Sequence, residues 1–328
     1  MRAPDFWQRR GDWRSLLLSP AAVAYGWAAR CRARTVQPWT APVPVICVGN
    51  LVAGGAGKTP VALALMKLLK EQGIRAHFLT RGHGGALAGP VRVDPETHGA
   101  ADVGDEPLLL AEAAPTWVAG DRVAGARAAT AAGAQAIVMD DGFQNPSLAK
   151  SLSLLVVDGG YGFGNGMLLP AGPLREPVAE GLAHARAAVL IGEDRTGAAT
   201  QIGNALPILR AQLTPVAGTG LSGRRVLAFA GIGRPEKFFD SLREAGAEIV
   251  ESRPFPDHHP YSAGEVDAIL KRAGDTGLLP VTTRKDWVRL PPDRRDGIAV
   301  LDITLTWQDA AVPAALLAGL FPARQGDV

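Results

Sequence analysis

The stretch VPVICVGNLVAGGAGKTP, Val43 to Pro60, passes from a short apolar run to the glycine-rich GGAGKTP. Val43 to Val48 reads as a strand buried on both faces of a parallel sheet, and VALALMKLLKEQG behind it has helical apolar spacing with a glycine stop. The glycines therefore lie between strand and helix. There, small residues let successive backbone N–H groups turn inward around phosphate oxygens, and the helix N-terminus adds partial positive charge. Lys58 would reach β- and γ-phosphates and Thr59 would offer a hydroxyl to Mg²⁺. The strict phosphate-loop pattern wants Gly at position 52, where this chain has Val52, and one subgroup places a lysine where Ala53 stands. The expected nucleotide contacts are Val52, Ala53, Gly54, Gly55, Ala56, Gly57, Lys58 and Thr59.

A chain of 328 residues, 47% hydrophobic and 20% charged, has room for two soluble-type domains. Cys31 and Cys47 supply neither a disulfide framework nor metal-site spacing, and the six histidines include no H-E-x-x-H, which argues against a zinc enzyme. The net charge of +2 is unevenly placed: residues 1–40 hold seven Arg against Asp5 and Asp12, so they carry +5 and the remainder −3. Trp7, Trp13, Trp27 and Trp39 lie in the same segment. Around the run LLLSPAAVAYGWAA this fits an amphipathic helix lying in a bilayer interface, with indoles at headgroup depth and arginines on anionic phosphates. A bilayer span needs about twenty residues, and this run is shorter and contains Pro20. A signal peptide fits poorly, because Asp5 and Asp12 stand in its leading part; a helix packed on its own domain competes with the interfacial reading.

Beyond the first βα unit the strands RAHFLT, TWVAG, AQAIVMD, SLLVVD, RAAVLIG and PILRAQL alternate with helices near 105–114, 121–132 and 177–185. The fold class is α/β: a phosphate-loop kinase-type, mostly parallel sheet flanked by helices, with chemistry at the carboxyl ends of its strands. A turn-rich break at 214–223 precedes a second, smaller α/β set: RVLAFAG, a helix over 235–245, AEIVESR, a helix near 263–273, LLPVTT, IAVLDIT and a last helix near 309–320. The expected organisation is a membrane-contacting segment over 1–40, a nucleotide-binding domain over 41–215 and a smaller lobe over 216–328, with a cleft that closes by hinge motion. No nucleic-acid motif stands out and no protein partner is expected.

Phosphoryl transfer to a hydroxyl needs a metal, a base and cations around the moving group. IVMDDGFQ ends a buried strand in Asp140 and Asp141, the layout of an acidic strand partnering a phosphate loop, although Asp-Asp-Gly also suits a turn. Gln144 and Asn145 either contact substrate or close that turn. VGDEP puts Asp105 and Glu106 at a helix start, where capping alone would favour them. Arg81, Arg122 and Arg175 flank strand ends, where a cation meets phosphate. FPDHHPY, 255–261, places a histidine pair in the second lobe.

In this order, GNLVAGGAGKTP, LTRGHGG, VGDEP, GDRV, MDDGFQ, GPLREP, FPDHHPY and TTRKDWV resemble the tetraacyldisaccharide 4'-kinases of lipid A biosynthesis, with matches spread over residues 49–288. The resemblance implies an enzyme on the cytoplasmic face of the inner membrane that moves the γ-phosphate of ATP, with Mg²⁺, to the 4'-hydroxyl of a tetraacylated disaccharide 1-phosphate. It implies Lys58 and Thr59 on nucleotide and Mg²⁺, Asp105 as base with His258 as its partner, and Glu106, Asp140 and Asp141 on the metal or its water shell. Arg122 and Arg175 become charge stabilisers or substrate clamps, with Arg81 and Gln144 among the substrate contacts. Three positions depart from the family pattern: His83 replaces a usual Tyr, Arg284 replaces an acidic residue, and Ala56 fills a place commonly Ser or Thr. A regulatory nucleotide switch is the competing class, since GGAGKT also occurs in GTPases and partner-loading ATPases, and TRKD at 283–286 approaches a guanine-reading motif with its lysine displaced; a soluble small-molecule kinase is another.

Overall fold

The computed structural model describes residues 4–321 apart from 217 and 219. Residues 1–3, with Arg2, and residues 322–328 of the expected last lobe lie outside the described residues, as do two positions of the expected 214–223 break.

A short 3₁₀ turn, Asp5–Gln8, leads to helix α1 (Trp13–Thr35). The first α/β set follows as β1 (Val45–Gly49), α2 (Lys58–Glu71), β2 (Ala76–Thr80), β3 (Val91–Arg92), α3 (Ala100–Val103), α4 (Asp105–Ala113), β4 (Thr116–Val118), α5 (Arg122–Ala131), β5 (Ala136–Asp140), β6 (Leu152–Asp158), α6 (Val178–His184), β7 (Ala187–Ile191), α7 (Ala198–Ile202) and β8 (Ile208–Pro215). The second comprises β9 (Arg225–Ala230), α8 (Pro235–Glu244), β10 (Glu248–Pro254), α9 (Ala263–Thr276), β11 (Leu279–Thr283), α10 (Arg284–Trp287) and β12 (Ala299–Leu301). The described chain ends with β13 (Ile303–Trp307) and α11 (Ala311–Ala318).

The large sheet runs β13-β8-β7-β6-β1-β5-β2-β4-β3 and is parallel except at its two edges, where β3 meets β4 and β13 meets β8 antiparallel. β1 is central and buried along its whole length, as its unbroken apolar run requires. Val61, Ala62, Leu65, Met66 and Leu69 of α2 recur at helical spacing and are buried against that sheet. The smaller sheet, β10-β9-β11-β12, is all parallel, with Phe238, Phe239 and Leu242 in the core on one face and Val266, Ile269 and Ala273 in the core on the other.

Two expectations are corrected here. IAVLDIT is not one strand: it divides at Asp302, with Ala299–Leu301 pairing to β11 and Ile303–Trp307 crossing back to pair with β8. The stretch 216–328 is therefore not one continuous lobe, because β13 completes the large sheet and Leu317 of α11 joins the core around α2. The crossing point also explains one departure. Arg284 holds Asp302 through two hydrogen bonds, Nε at 2.8 Å and Nη2 at 2.7 Å, and its guanidinium lies over the Trp287 ring at 5.3 Å.

Helix α1 continues through Pro20. Proline lacks the N–H that would bond the Leu16 carbonyl, and Ser19 Oγ donates to that carbonyl instead at 2.8 Å. The face turned to the body is made of small residues: Ser15, Ala22 and Gly26 are buried, Asn165 Nδ2 donates to Ser15 Oγ at 3.0 Å, and a Cβ on Gly26 would meet Leu168 Cδ1 at 2.6 Å. Trp13, Leu16, Leu17, Val23 and Trp27 stand exposed, Leu17 at 71% and Trp27 at 68%. The packed small-residue side and the exposed apolar side thus face opposite directions on one helix. Among the described residues, no helix is long and apolar enough to cross a membrane.

Arg284→Glu should lower stability to urea by about 1 kcal/mol, discounted because both partners are partly exposed. Adding Asp302→Arg should restore most of that loss; no restoration would mean that the pair does not secure the crossing.

Candidate active site

Gly57 closes the glycine-rich loop in a left-handed conformation (φ +86°) that side chains other than glycine adopt only with strain, and a Cβ there would also push on Ile191 Cδ1 at 2.6 Å. Lys58 then opens α2, with Nζ 3.3 Å from Asn50 Oδ1 and 3.5 Å from Asp141 Oδ1. Ala53 N donates to Pro173 O at 2.7 Å, while Val52 is buried and bridges to Leu174. Position 52 therefore packs inward and needs no glycine. Ala56 is also buried; Gly54 and Gly55 have open space where a Cβ would stand.

β5 delivers Asp140 beside this loop. Thr59 Oγ1 donates to its Oδ2 at 3.0 Å, and its Oδ1 is buried without a hydrogen-bond partner. Burial first, then the Glu106 charge, pushes the Asp140 carboxyl up to about 7. Asp141, left-handed at φ 53°, turns to Lys58 and Arg175; burial raises its carboxyl, but those two cations outweigh it and hold it low. Gln144 Nε2 donates to Asn50 O at 2.9 Å and Glu176 Oε1 at 2.8 Å. Asn145 closes the turn instead, accepting from the backbone N–H groups of Ser147 and Leu148.

Asp105 starts α4 in the large lobe and is 3% exposed. Its Oδ2 faces three groups from the second lobe: His258 Nδ1 at 3.0 Å, Arg289 Nε at 3.1 Å and Lys285 Nζ at 3.8 Å. Burial pushes the carboxyl up, yet the His258 hydrogen bond and the Lys285 and Arg289 charges prevail and hold it at about 2. Lys285 also pairs with Glu106 at 3.1 Å. Arg289 is fixed from behind: Nη2 lies 3.2 Å from Asp286, and Nη1 donates to the carbonyls of Gly231 and His259. Buried Asp286 in turn accepts from Tyr261, Thr283 and Gly231 N, so the TRKD aspartate is a structural hub with no free edge to read a base.

The residues expected on the metal side divide between two environments. Thr59 and Asp140 meet; Asp141 is engaged by Lys58 and Arg175, and Glu106 by Lys285. Among the described residues no three His, Cys, Asp or Glu converge on one metal position. Arg122 is buried, donates to Ala119 O and leaves Nε unpartnered; burial, then Arg81, pushes its guanidinium down. Arg81 lines a shallow pocket with His83, Leu87 and Gly120, and the His83 ring meets His258 edge-on at 5.9 Å.

The family model described as Tetraacyldisaccharide-1-P 4'-kinase matches residues 14–320. The chain belongs to the tetraacyldisaccharide 4'-kinase family. It is 58% identical to the tetraacyldisaccharide 4'-kinase of Rhodospirillum centenum over 99% of this chain and 98% of that one. It is 55% identical to that of Gluconacetobacter diazotrophicus, with 97% of each chain covered. The solved LpxK from Aquifex aeolicus in complex with ATP superposes with a TM-score of 0.79 at 26% identity, covering 94% of this chain and 99% of that one.

For a tetraacyldisaccharide 4'-kinase the two lobes thus meet on Asp105. Sequence reasoning did not single out Asn50, Lys285 or Arg289. Asn50 lies inside GNLVAGGAGKTP and the other two lie in or beside TTRKDWV, yet nothing in spacing says that they face Lys58 and Asp105.

Because Asp105 is held below its ordinary 3.8, its contribution to stability is complete above about pH 4 and is lost as pH falls toward 2. In urea unfolding, the stability advantage of wild type over Asp105→Asn should shrink from about pH 4 downward. An advantage independent of pH there would mean that the cations do not hold Asp105 ionised.

Proposed function

We propose that the chain transfers the γ-phosphoryl group of ATP to the 4'-hydroxyl of tetraacyldisaccharide 1-phosphate, with the GGAGKT loop cradling the nucleotide. The supporting observation is the meeting of Asp105 and His258 across the lobes, with neighbouring Glu106 acting electrostatically on Asp140 beside the loop. Lys58 would neutralise charge growing on the β- and γ-phosphates. The donor set fits Mg²⁺: Thr59 hydroxyl, an Asp140 oxygen buried without a partner, and few other protein groups, as suits an ion that keeps waters and phosphate oxygens. When bound, Mg²⁺ supplies charge neutralisation at the phosphates. Glu106 and Asp141 then serve its water shell or their present cation partners.

Asp105 would orient the sugar hydroxyl and take its proton late. A carboxylate held near 2 is a weak base, and weak basicity suffices where the transition state is loose and demands little nucleophile deprotonation. His258 would hold and tune that carboxylate through its Nδ1 contact. Arg175 and Arg122, with Arg81 and Gln144 at the rim, place cations and donors for the transferring group and the acceptor's phosphate. The exposed apolar side of α1, with its arginines, would rest on the cytoplasmic face of the inner membrane, where the lipid acceptor lies.

Lys58→Ala should cost several kcal/mol of barrier, read as a fall of about a thousandfold in kcat/KM. Near-normal turnover would remove the loop from the reaction. Asp105→Asn should collapse kcat while ATP binding persists, and adding His258→Ala should make it little worse. Additive losses would separate His258 from the proton step. Leu17→Glu with Trp27→Glu should reduce co-sedimentation with anionic vesicles, and unchanged sedimentation would reject that face of α1 as the lipid contact.

A further inference from the structure

A second contact between the lobes lies on the far side of the glycine-rich loop from Asp105, and the assigned chemistry does not use it. Asp158, at the carboxyl end of β6, is 5% exposed. Its Oδ1 accepts from Gly160 N at 2.9 Å, and its Oδ2 accepts from both Arg234 and Lys237, which stand at the start of α8 in the second lobe. The same Arg234 nitrogen, Nη2, donates to the carbonyl of Gly55 at 2.8 Å, and the guanidinium lies over the Tyr161 ring at 5.6 Å. One nitrogen therefore joins a fixed carboxylate to the backbone of the loop.

The peptide plane gives this contact a consequence. A trans peptide points its C=O and N–H in opposite directions. With the Gly55 carbonyl drawn to Arg234, the N–H of Ala56 in the same peptide points away from Arg234. Gly54 and Gly55 carry no side chain and would meet nothing with a Cβ, so on the glycine side of that peptide only backbone contacts act, while buried Ala56 packs on the other. Charge acts in the same direction: an unpaired Asp158 carboxylate beside the loop would repel a triphosphate, and two cations reverse the local sign.

We propose that Arg234, anchored on Asp158, is a positioning residue for the nucleotide's phosphates, holding the Gly55–Ala56 peptide with its N–H turned away from the guanidinium and toward those phosphates. Its guanidinium acts through the backbone of the loop. ATP affinity is thereby coupled to docking of the second lobe. The inference rests on reading the GGAGKT loop as the phosphate site.

The experiment measures the Kd for ATP calorimetrically, and the KM for ATP and for tetraacyldisaccharide 1-phosphate, in the full chain and in Arg234→Met, Asp158→Asn, the double variant and Lys58→Ala. Arg234→Met should weaken ATP about tenfold in Kd and in KM, as loss of one charge-assisted bond implies, and leave the acceptor KM unchanged. Asp158→Asn should weaken ATP less, and the double variant should match Arg234→Met, since the aspartate acts through the arginine. Unchanged ATP affinity in Arg234→Met while Lys58→Ala loses it would overturn the proposal, as would a fall in Tm with equal effects on both substrates. Lys58→Ala with wild-type ATP affinity would instead reject the loop as the phosphate site.

Discussion

Asp105 is a carboxylate that one lobe buries and the other neutralises. At 3% exposure it has lost its water, and its compensation comes from His258, Arg289 and Lys285, all on the second lobe. A buried carboxylate left without partners would cost several kcal/mol, so the apposed lobes and the ionised Asp105 depend on one another. Arg289 gives that dependence its stiffness. Its guanidinium donates to two backbone carbonyls and pairs ionically with Asp286, which accepts from Tyr261 and Thr283, so the first lobe's carboxylate is linked through ion pairs to the second lobe's core.

The chain path supports the same arrangement. It leaves the large sheet after β8 and returns through the edge strand β13, which pairs with β8 antiparallel, so the second lobe is inserted between an edge strand and its neighbour. Two adjacent crossings restrict the lobe to rotation about that edge more than a single linker would. Arg284, on the turn of α10, fixes Asp302 on the returning crossing, which ties the helix carrying Lys285 to the point where the chain changes sheets.

Much of this was legible in the sequence because it is local. VPVICV before GGAGKT, and IVMD before Asp141, are strand ends whose burial is written in their apolar runs, and in the structure Thr59 donates to Asp140 while Lys58 lies beside Asp141. The meeting of Asp105 with His258, 153 positions later, was legible only through family resemblance, since spacing carries no information over that distance. Arg289 and Arg234 were not legible at all. An arginine in a sequence reads as surface, and what makes these two otherwise is a partner supplied by tertiary packing: buried Asp105 and Asp286 for one, buried Asp158 for the other. IAVLDIT misled for a related reason. Its alternating apolar residues suit a strand anywhere, and the pattern does not record that the strand changes sheets at Asp302. The Arg- and Trp-rich start announced an apolar helix but not which side would pack. Small residues decided that, because Ser15, Ala22 and Gly26 allow close approach to residues 165–168 and leave the large side chains outside.

One segment, from Asp158 to Arg175, links these features. Asp158 takes Arg234 and Lys237 from the second lobe; Asn165 donates to Ser15 on α1, and its N–H bonds the Trp7 carbonyl; Leu168 packs against Gly26. Farther on, Leu174 bridges to Val52 beside the glycine-rich loop, and Arg175 reaches Asp141. Under the proposed membrane contact of α1, an acceptor whose acyl chains stay in a bilayer presents its sugar hydroxyl at a height set by the membrane, and a kinase acting on it needs a fixed distance between that contact and its phosphate site. A helix docked by side-chain contacts on the same segment that positions Arg175 and braces Val52 meets that requirement through short-range packing alone. It also explains why the outward stripe of α1 can be apolar without being part of the core: the helix is held by its small-residue face, which leaves Trp13, Leu17 and Trp27 free of any packing duty within the described residues.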